Sequence, residues 1–317
     1  MKIAILKRLF RPCNQFFFLT MLISIFIISG FAYTKEASEP TPSPDSQASK
    51  ETPTKEKDVV KPVPLQDYLI KIPSVERIEG IAWDEGKKNL FVLDGEKKKI
   101  DRINPISGQL LQSLVFDPVQ LFVLDQKNLK GLAFDREAKV LWVAAEEKAK
   151  EKKAPILIMV DPVSGKTIKT IDMEIPEEKG FDSIEGITWD EKRKDLWVAI
   201  YAGFSSSFNQ INPETGEIIR SVFADCYPRG IATDGENLWS ICYNGEKFPS
   251  KIDKRKIQEK DYEMFHSRTF IEDIPEAKQP TSLVFDGTHL WYADRKTKSA
   301  IRFTPPVTAP DKTPVKK

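Results

Sequence analysis

Apolar runs of four to eight residues, broken by polar clusters, fill the chain from residue 64 to 306, and none keeps a helical spacing of 3.6. They are rich in β-branched and aromatic residues, so each predicts a strand. One phrase recurs among them. Its first half reads "EGIAWD" from Glu79, "KGLAFD" from Lys130, "EGITWD" from Glu185, "RGIATD" from Arg229 and "TSLVFD" from Thr281. Its second half reads "LFVLD" from Leu90, "LWVAA" from Leu141, "LWVAI" from Leu196, "LWSIC" from Leu238 and "LWYAD" from Leu290. Gly80, Gly131, Gly186, Gly230 and Ser282 mark the repeat, at steps of 44 to 55 residues.

Turn chemistry divides each repeat into four strands. Asp-x-x-Lys or Asp-Gly follows the first strand, and Asn/Asp-Pro-x-Ser/Thr-Gly ("INPISG", "VDPVSG", "INPETG") separates the last two. Proline presets one turn dihedral there, and glycine supplies a positive φ. Four strands per unit at this period predict an all-β, five-bladed β-propeller. The last unit stops at "AIRFTPP", one strand short, and "QDYLIKIPSV" ahead of the first unit reads as that missing strand. The N-terminal strand is therefore expected to close the ring and leave no open sheet edge. A sixth blade, the alternative, would need about 45 more residues, and no gap offers them.

These phrases resemble those of the gluconolactonase/regucalcin-like and NHL-repeat propellers over roughly residues 64 to 306. The resemblance implies the propeller fold. In gluconolactonase-like proteins it also implies a divalent metal held by the glutamate of the first "EG", which Glu79 matches, with Asn and Asp from later blades. Lys130, Glu185 and Arg229 depart from that pattern, and two cations oppose a hard metal. No metal or other cofactor is therefore expected. Glutaminyl cyclotransferases, also five-bladed, use a channel glutamate for proton transfer, and one Glu-Gly phrase supports that comparison.

The ends of the chain are of a different kind. Lys2, Lys7, Arg8 and Arg11 precede the apolar run of residues 16 to 32, so residues 1–32 read as a secretory signal or an uncleaved anchor. Residues 33–63 and 307–317, rich in Pro, Ser, Thr, Lys and Glu, are expected to be disordered, a spacer and a tail around the body of 64–306. An exported, monomeric protein is expected, touching a membrane only through an uncleaved N-terminal segment. Removing residues 1–32 takes the formal charge from +1 to −3, which argues against a nucleic-acid partner.

The residue ahead of each repeat glycine carries the candidate chemistry. Glu79, Lys130, Glu185, Arg229 and Thr281 should converge at one mouth of the central channel. Glu79–Lys130 and Glu185–Arg229 are expected to pair there, because a charge buried alone is costly. The same group could instead receive a small polar zwitterion or a carboxylate on Arg229 or Lys130. Tyr201, Phe204, Phe208, Tyr243 and Phe248 are expected to cluster in adjacent loops as a contact patch for a protein partner. Cys226 and Cys242 should face each other across the fourth blade, as a disulfide or as two buried thiols. His289 and His266 cannot reach the axis, which excludes a His-based nucleophilic arrangement. The six tryptophans occupy repeat positions and read as core. The reading is a non-enzymatic propeller binding a partner or small ligand at this face. The alternative is a hydrolase, lactonase or cyclotransferase using Glu79 or Glu185 as acid and base.

Overall fold

The computed structural model describes residues 68–116, 127–147, 155–175, 181–203, 205–243, 245, 250–266, 269–274 and 277–304. All lie in one compact unit, Val60–Lys317. Five four-stranded antiparallel sheets make the blades. Blade one is β2 (Ile78–Asp84), β3 (Asn89–Asp94), β4 (Lys99–Ile103) and β5 (Leu110–Val115). Blade two is β6 (Lys127–Asp135), β7 (Val140–Glu147), β8 (Pro155–Val160) and β9 (Thr167–Asp172). Blade three is β10 (Ser183–Asp190), β11 (Asp195–Ala202), β12 (Ser205–Ile211) and β13 (Ile218–Phe223). Blade four is β14 (Pro228–Thr233), β15 (Asn237–Cys242), β16 (Ser250–Lys256) and β17 (Thr269–Ile274). Blade five is β18 (Pro280–Phe285), β19 (Leu290–Asp294) and β20 (Ser299–Phe303), completed by β1 (Tyr68–Lys71). In that last pair Tyr68 lies opposite Arg302 and Lys71 opposite Ser299, so the N-terminal strand closes the ring as the missing strand required.

The innermost strands β2, β6, β10, β14 and β18 touch in sequence around the axis, and β18 returns to β2. They meet so closely that a Cβ has no room. One built on Gly80 would lie 2.6 Å from the Leu132 amide nitrogen, one on Gly186 2.8 Å from Gly230 Cα, and one on Gly230 2.6 Å from Ser282 Cα. Blade five carries Ser282 instead, and its hydroxyl accepts the Ile81 N–H at 3.0 Å to join the last blade to the first. The pairing of every inner strand slips at this point, between Ile78 and Gly80, Lys130 and Leu132, Ile184 and Gly186, Pro228 and Ile231, and Pro280 and Ser282. Such a bulge re-aims the side chain beside it. Here it turns the residue at the start of each phrase out of the regular alternation.

The remaining turn signals perform the parts their chemistry allows. Asn104, Asp161 and Asn212 each accept two turn N–H groups on a side-chain oxygen, ahead of Gly108, Gly165 and Gly216 at positive φ. These glycines also face the neighbouring blade. A Cβ on Gly216 would stand 2.0 Å from the Asp172 carbonyl, and one on Gly108 2.4 Å from that of Lys71. The tryptophans pack between blades: Trp83 stacks on Trp291 at 6.1 Å and Trp189 on Trp142 at 6.4 Å, while Phe134 meets Phe91 at 5.7 Å. Each pair joins a first strand to the second strand of the preceding blade. One expectation fails. Phe208 is a fully buried core residue of β12 rather than a loop aromatic. The run around His266 is a short helix, Asp261–His266, before β17, because the link from β16 to β17 has room for a helical turn. Among the described residues no helix is long and apolar enough to cross a membrane; the apolar run of residues 16 to 32 lies outside them.

Two outcomes follow from this packing. Gly186→Ala is expected to cost about 1–3 kcal/mol, the range for overfilling a packed interior, measured by urea unfolding. The second concerns Asp195, buried at the start of β11 and accepting from the Gln210 amide. Burial pushes its carboxyl up to about 6, the Gln210 bond lowers it, and nearby Asp190 adds to the rise. Between the unfolded value and about 6 the folded state holds the extra proton, so this group's contribution to stability falls as pH rises through that window. Asp195→Asn should remove that fall. The stability of the variant relative to the parent is expected to climb by up to about 3 kcal/mol from pH 4 to pH 7 in paired unfolding curves.

Candidate functional site

The bulges bring Glu79, Lys130, Glu185, Arg229 and Thr281 to one mouth of the channel, where Glu79, Lys130, Glu185, Arg229, Thr281 and Arg295 line a common space. The convergence is as the repeat implied, and the partners are partly different. Glu79 does not pair with Lys130. Its Oε1 lies 2.9 Å from Arg77 Nε and its Oε2 2.5 Å from Arg295 Nη2. Lys130 reaches the next strand of its own blade, with Nζ 3.7 Å from Glu146 Oε1, while the other Glu146 oxygen accepts the Ile184 N–H at 3.1 Å. The reason is local: Arg77 stands just ahead of β2, two residues before Glu79, and Arg295 follows the end of β19. Glu185 and Arg229 do pair, at 2.8 Å, and Ser183 donates to the second Glu185 oxygen.

The residues two positions ahead of each glycine's neighbour repeat as well, as Arg77, Asn128, Ser183, Tyr227 and Gln279, and Gln279 lines the cavity beside the charges. Three of them bond the channel glutamates. Besides Arg77 and Ser183, the Tyr227 hydroxyl donates to Glu185 Oε1 at 3.5 Å. Burial, and after it the Glu185 carboxylate, pushes the Tyr227 hydroxyl above its ordinary value and keeps it a donor. Sequence reasoning overlooked this series, although its period equals that of the phrase and aligning the repeats one dipeptide further upstream exposes it. Arg295 and Glu146 were also missed; Glu146 lies near the end of β7 and Arg295 just past the end of β19, where no fixed spacing points at the axis.

Aromatic rings frame the cations. The Arg229 guanidinium lies 4.4 Å from the Tyr227 ring centre and 5.6 Å from that of Tyr243, and Tyr201 meets Tyr227 edge-on at 4.7 Å. Tyr201 and Tyr243 are half-buried at this mouth. Phe204 and Phe248 lie outside the described residues. Cys226 and Cys242 are joined as a disulfide, with Cα atoms 5.6 Å apart. It occupies a structural position with a clear parallel. Where blade four has Cys242, blades one and five have Asp94 and Asp294, whose carboxylates accept the N–H groups of Glu76 and Arg77, and of Lys278 and Gln279. In each case the end of the second strand is tied to the segment entering the first, and in blade four the tie is covalent.

The space inside the ring of charges is only about 10 Å³, room for one water molecule. Beside it, Arg229, Tyr243, Gln279, Pro280, Thr281 and Arg295 line a cavity of about 140 Å³. Thr281 belongs to both. It is 9% exposed, and its hydroxyl oxygen is buried with no hydrogen-bond partner. The divalent metal that gluconolactonase resemblance implies does not fit these residues. Both oxygens of Glu79 face arginines, and the equivalent positions in blades two and four hold Lys130 and Arg229. Among the described residues, Cys226, Cys242 and Asp253 do lie at metal-ligand spacing, but their two sulfurs are spent in the disulfide.

No protein-family model matches the chain, and no curated protein matches it either. Solved structures do. A nidogen/laminin complex matches at 16% identity and TM-score 0.48, covering 72% of this chain and 76% of that one. A glutaminyl cyclase from Myxococcus xanthus matches at 10% identity and TM-score 0.49, covering 76% and 97%. A gluconolactonase from Xanthomonas campestris matches at 14% identity and TM-score 0.46, covering 73% and 76%. At these identities and TM-scores the likeness says nothing of what the chain does. Its chemistry has to be read from its own side chains.

The Glu185–Arg229 pair supplies a test of how far the mouth depends on compensation. Arg229→Ala leaves a carboxylate that is 7% exposed with hydroxyl donors only. A loss of about 1–3 kcal/mol is expected in chemical unfolding, and the double variant Glu185→Gln/Arg229→Ala should recover part of it.

Proposed function

We propose that this protein is an exported, non-enzymatic propeller that captures a carboxylate-bearing group of a protein partner or small ligand at the channel mouth. One observation carries the reading: the unpartnered Thr281 hydroxyl is buried where Arg229 and Arg295 line the same 140 Å³ cavity. A buried hydroxyl without a partner costs free energy unless something arrives to bond it. Two guanidinium groups beside it make a negative oxygen the fitting arrival, since arginine binds carboxylate with paired, charge-assisted bonds. The cavity's own lining favours the same sign, with Arg229 and Arg295 and, among the described residues, no carboxylate. The volume admits a carboxylate and a carbon or two, at about 30 Å³ per water-sized group, so the rest of the ligand lies on the rim by Tyr201 and Tyr243.

The non-enzymatic part rests on the glutamates. An acid or base needs an oxygen within reach of substrate. Both oxygens of Glu79 are engaged by arginines, and both of Glu185 by Arg229, Ser183 and Tyr227. Export is supported by the disulfide, which persists in oxidising compartments, and by the basic and apolar character of residues 1–32.

The test is thermal unfolding with a panel of small carboxylates and acidic dipeptides, on the parent and on Thr281→Val, which keeps the shape and removes the hydroxyl. The parent is expected to be stabilised by at least one carboxylate, and Thr281→Val to lose most of that gain. Equal stabilisation of the two proteins, or none in either, would place the ligand elsewhere. Turnover of a lactone or of an N-terminal glutamine peptide that disappears in Glu79→Gln would replace the binding reading with the enzymatic one.

A further inference from the structure

The opposite end of the channel has a different chemistry. The fifth residue of each phrase lies there: Trp83, Phe134, Trp189, Thr233 and Phe285. All five line one cavity of about 330 Å³. Four are aromatic. Trp83, Phe134 and Trp189 each pack on an aromatic ring of the preceding blade, so their positions are fixed by the core rather than adjustable. Blade four breaks the series with Thr233, whose hydroxyl is turned to its own turn and accepts the Gly235 N–H at 2.9 Å. The corresponding ring of the preceding blade is Trp197, with the Arg220 guanidinium 5.0 Å from its centre. Thr233 lines the cavity without a ring, so blade four is the gap in its aromatic wall.

From this geometry we infer a second binding site, distinct from the mouth, that takes an uncharged planar aromatic group. The group completes the ring of aromatic side chains around the axis. The walls exclude a strongly hydrated guest: besides the four aromatic rings, Leu132, Ile187 and Leu283 form the floor. Water in such a space has few polar partners, and an apolar guest displaces it at a gain. The volume fits one or two fused rings. The charged groups on the rim are engaged by the protein itself: Arg136 is paired with Glu191 and Lys192 with Glu236, while Asp234 accepts the Glu236 and Asn237 N–H groups. The inner strands separate this site from the mouth by a layer of buried aliphatic residues, Ile81, Leu132, Ile187, Ile231 and Leu283. Occupancy of one end therefore requires nothing of the other.

The experiment uses 2-naphthol, neutral at pH 7, titrated into the full chain by calorimetry. Saturable one-to-one binding is expected. Thr233→Trp supplies the missing ring from the protein itself and should weaken binding at least about tenfold, a change of about 1.4 kcal/mol. Phe285→Leu, which removes one wall with a smaller change in the turn, should weaken it less, and Arg295→Ala at the mouth should leave it unchanged. Absence of saturable binding overturns the inference, as does binding of parental strength in a folded Thr233→Trp protein. Loss on Arg295→Ala alone would also overturn it, by assigning the naphthol to the mouth.

Discussion

Five backbones meet at the axis of this protein with no space for side chains between them, and most of what is distinctive in the structure descends from that crowding. It admits glycine at four of the five contacts and, at the fifth, a serine that spends its hydroxyl on the Ile81 amide. It also interrupts the pairing of each inner strand at the same place. The bulge then throws the preceding side chain into the channel mouth. Charged residues that a regular strand would have alternated away from one another are forced together, and water is excluded from them. Ion pairing is the physical answer to that confinement, since a lone buried charge would cost several kcal/mol.

The two ends of the channel answer the same geometry in opposite ways. At the mouth the repeat supplies charge, and each glutamate is engaged by arginine. The cavity beside these pairs is lined by Arg229 and Arg295 and, among the described residues, by no carboxylate, so an anion suits it. At the other end it supplies aromatic rings whose edges the neighbouring blades fix. Between the two lies a layer of buried aliphatic side chains, Ile81, Leu132, Ile187, Ile231 and Leu283. The disulfide joins this scheme as a variant of an existing tie. Asp94 and Asp294 hold the entering segment with hydrogen bonds, and Cys242 holds it with a covalent bond where the entering segment supplies Cys226 rather than backbone N–H groups in reach.

Much of the fold was legible because its signals are local. "INPISG" and its relatives name a turn whatever surrounds them, and the fivefold phrase names its own partners by counting. The missing final strand and its substitute at Tyr68–Lys71 followed from the same count. The convergence of Glu79, Lys130, Glu185, Arg229 and Thr281 was legible too, since a periodic position on an inner strand must face the axis. The pairing was not. Lys130 reaches Glu146, and Glu79 is taken by Arg77 and Arg295, because side-chain reach depends on loop ends that obey no period. Phe208 misled for the opposite reason: a serine-rich run looked like a loop, yet β12 continues through it and buries the ring.

The order of residues alone thus decided the blade count, the closure of the ring and which positions share the axis, because these depend on repetition and on turns a few residues long. Tertiary structure alone decided which cation meets which carboxylate, that the Thr281 hydroxyl is left without a partner, and that the volume missing at Thr233 opens on the axis. Those outcomes depend on distances of a few ångströms between side chains, in one pair 216 residues apart in the sequence, and periodicity carries no information at that scale.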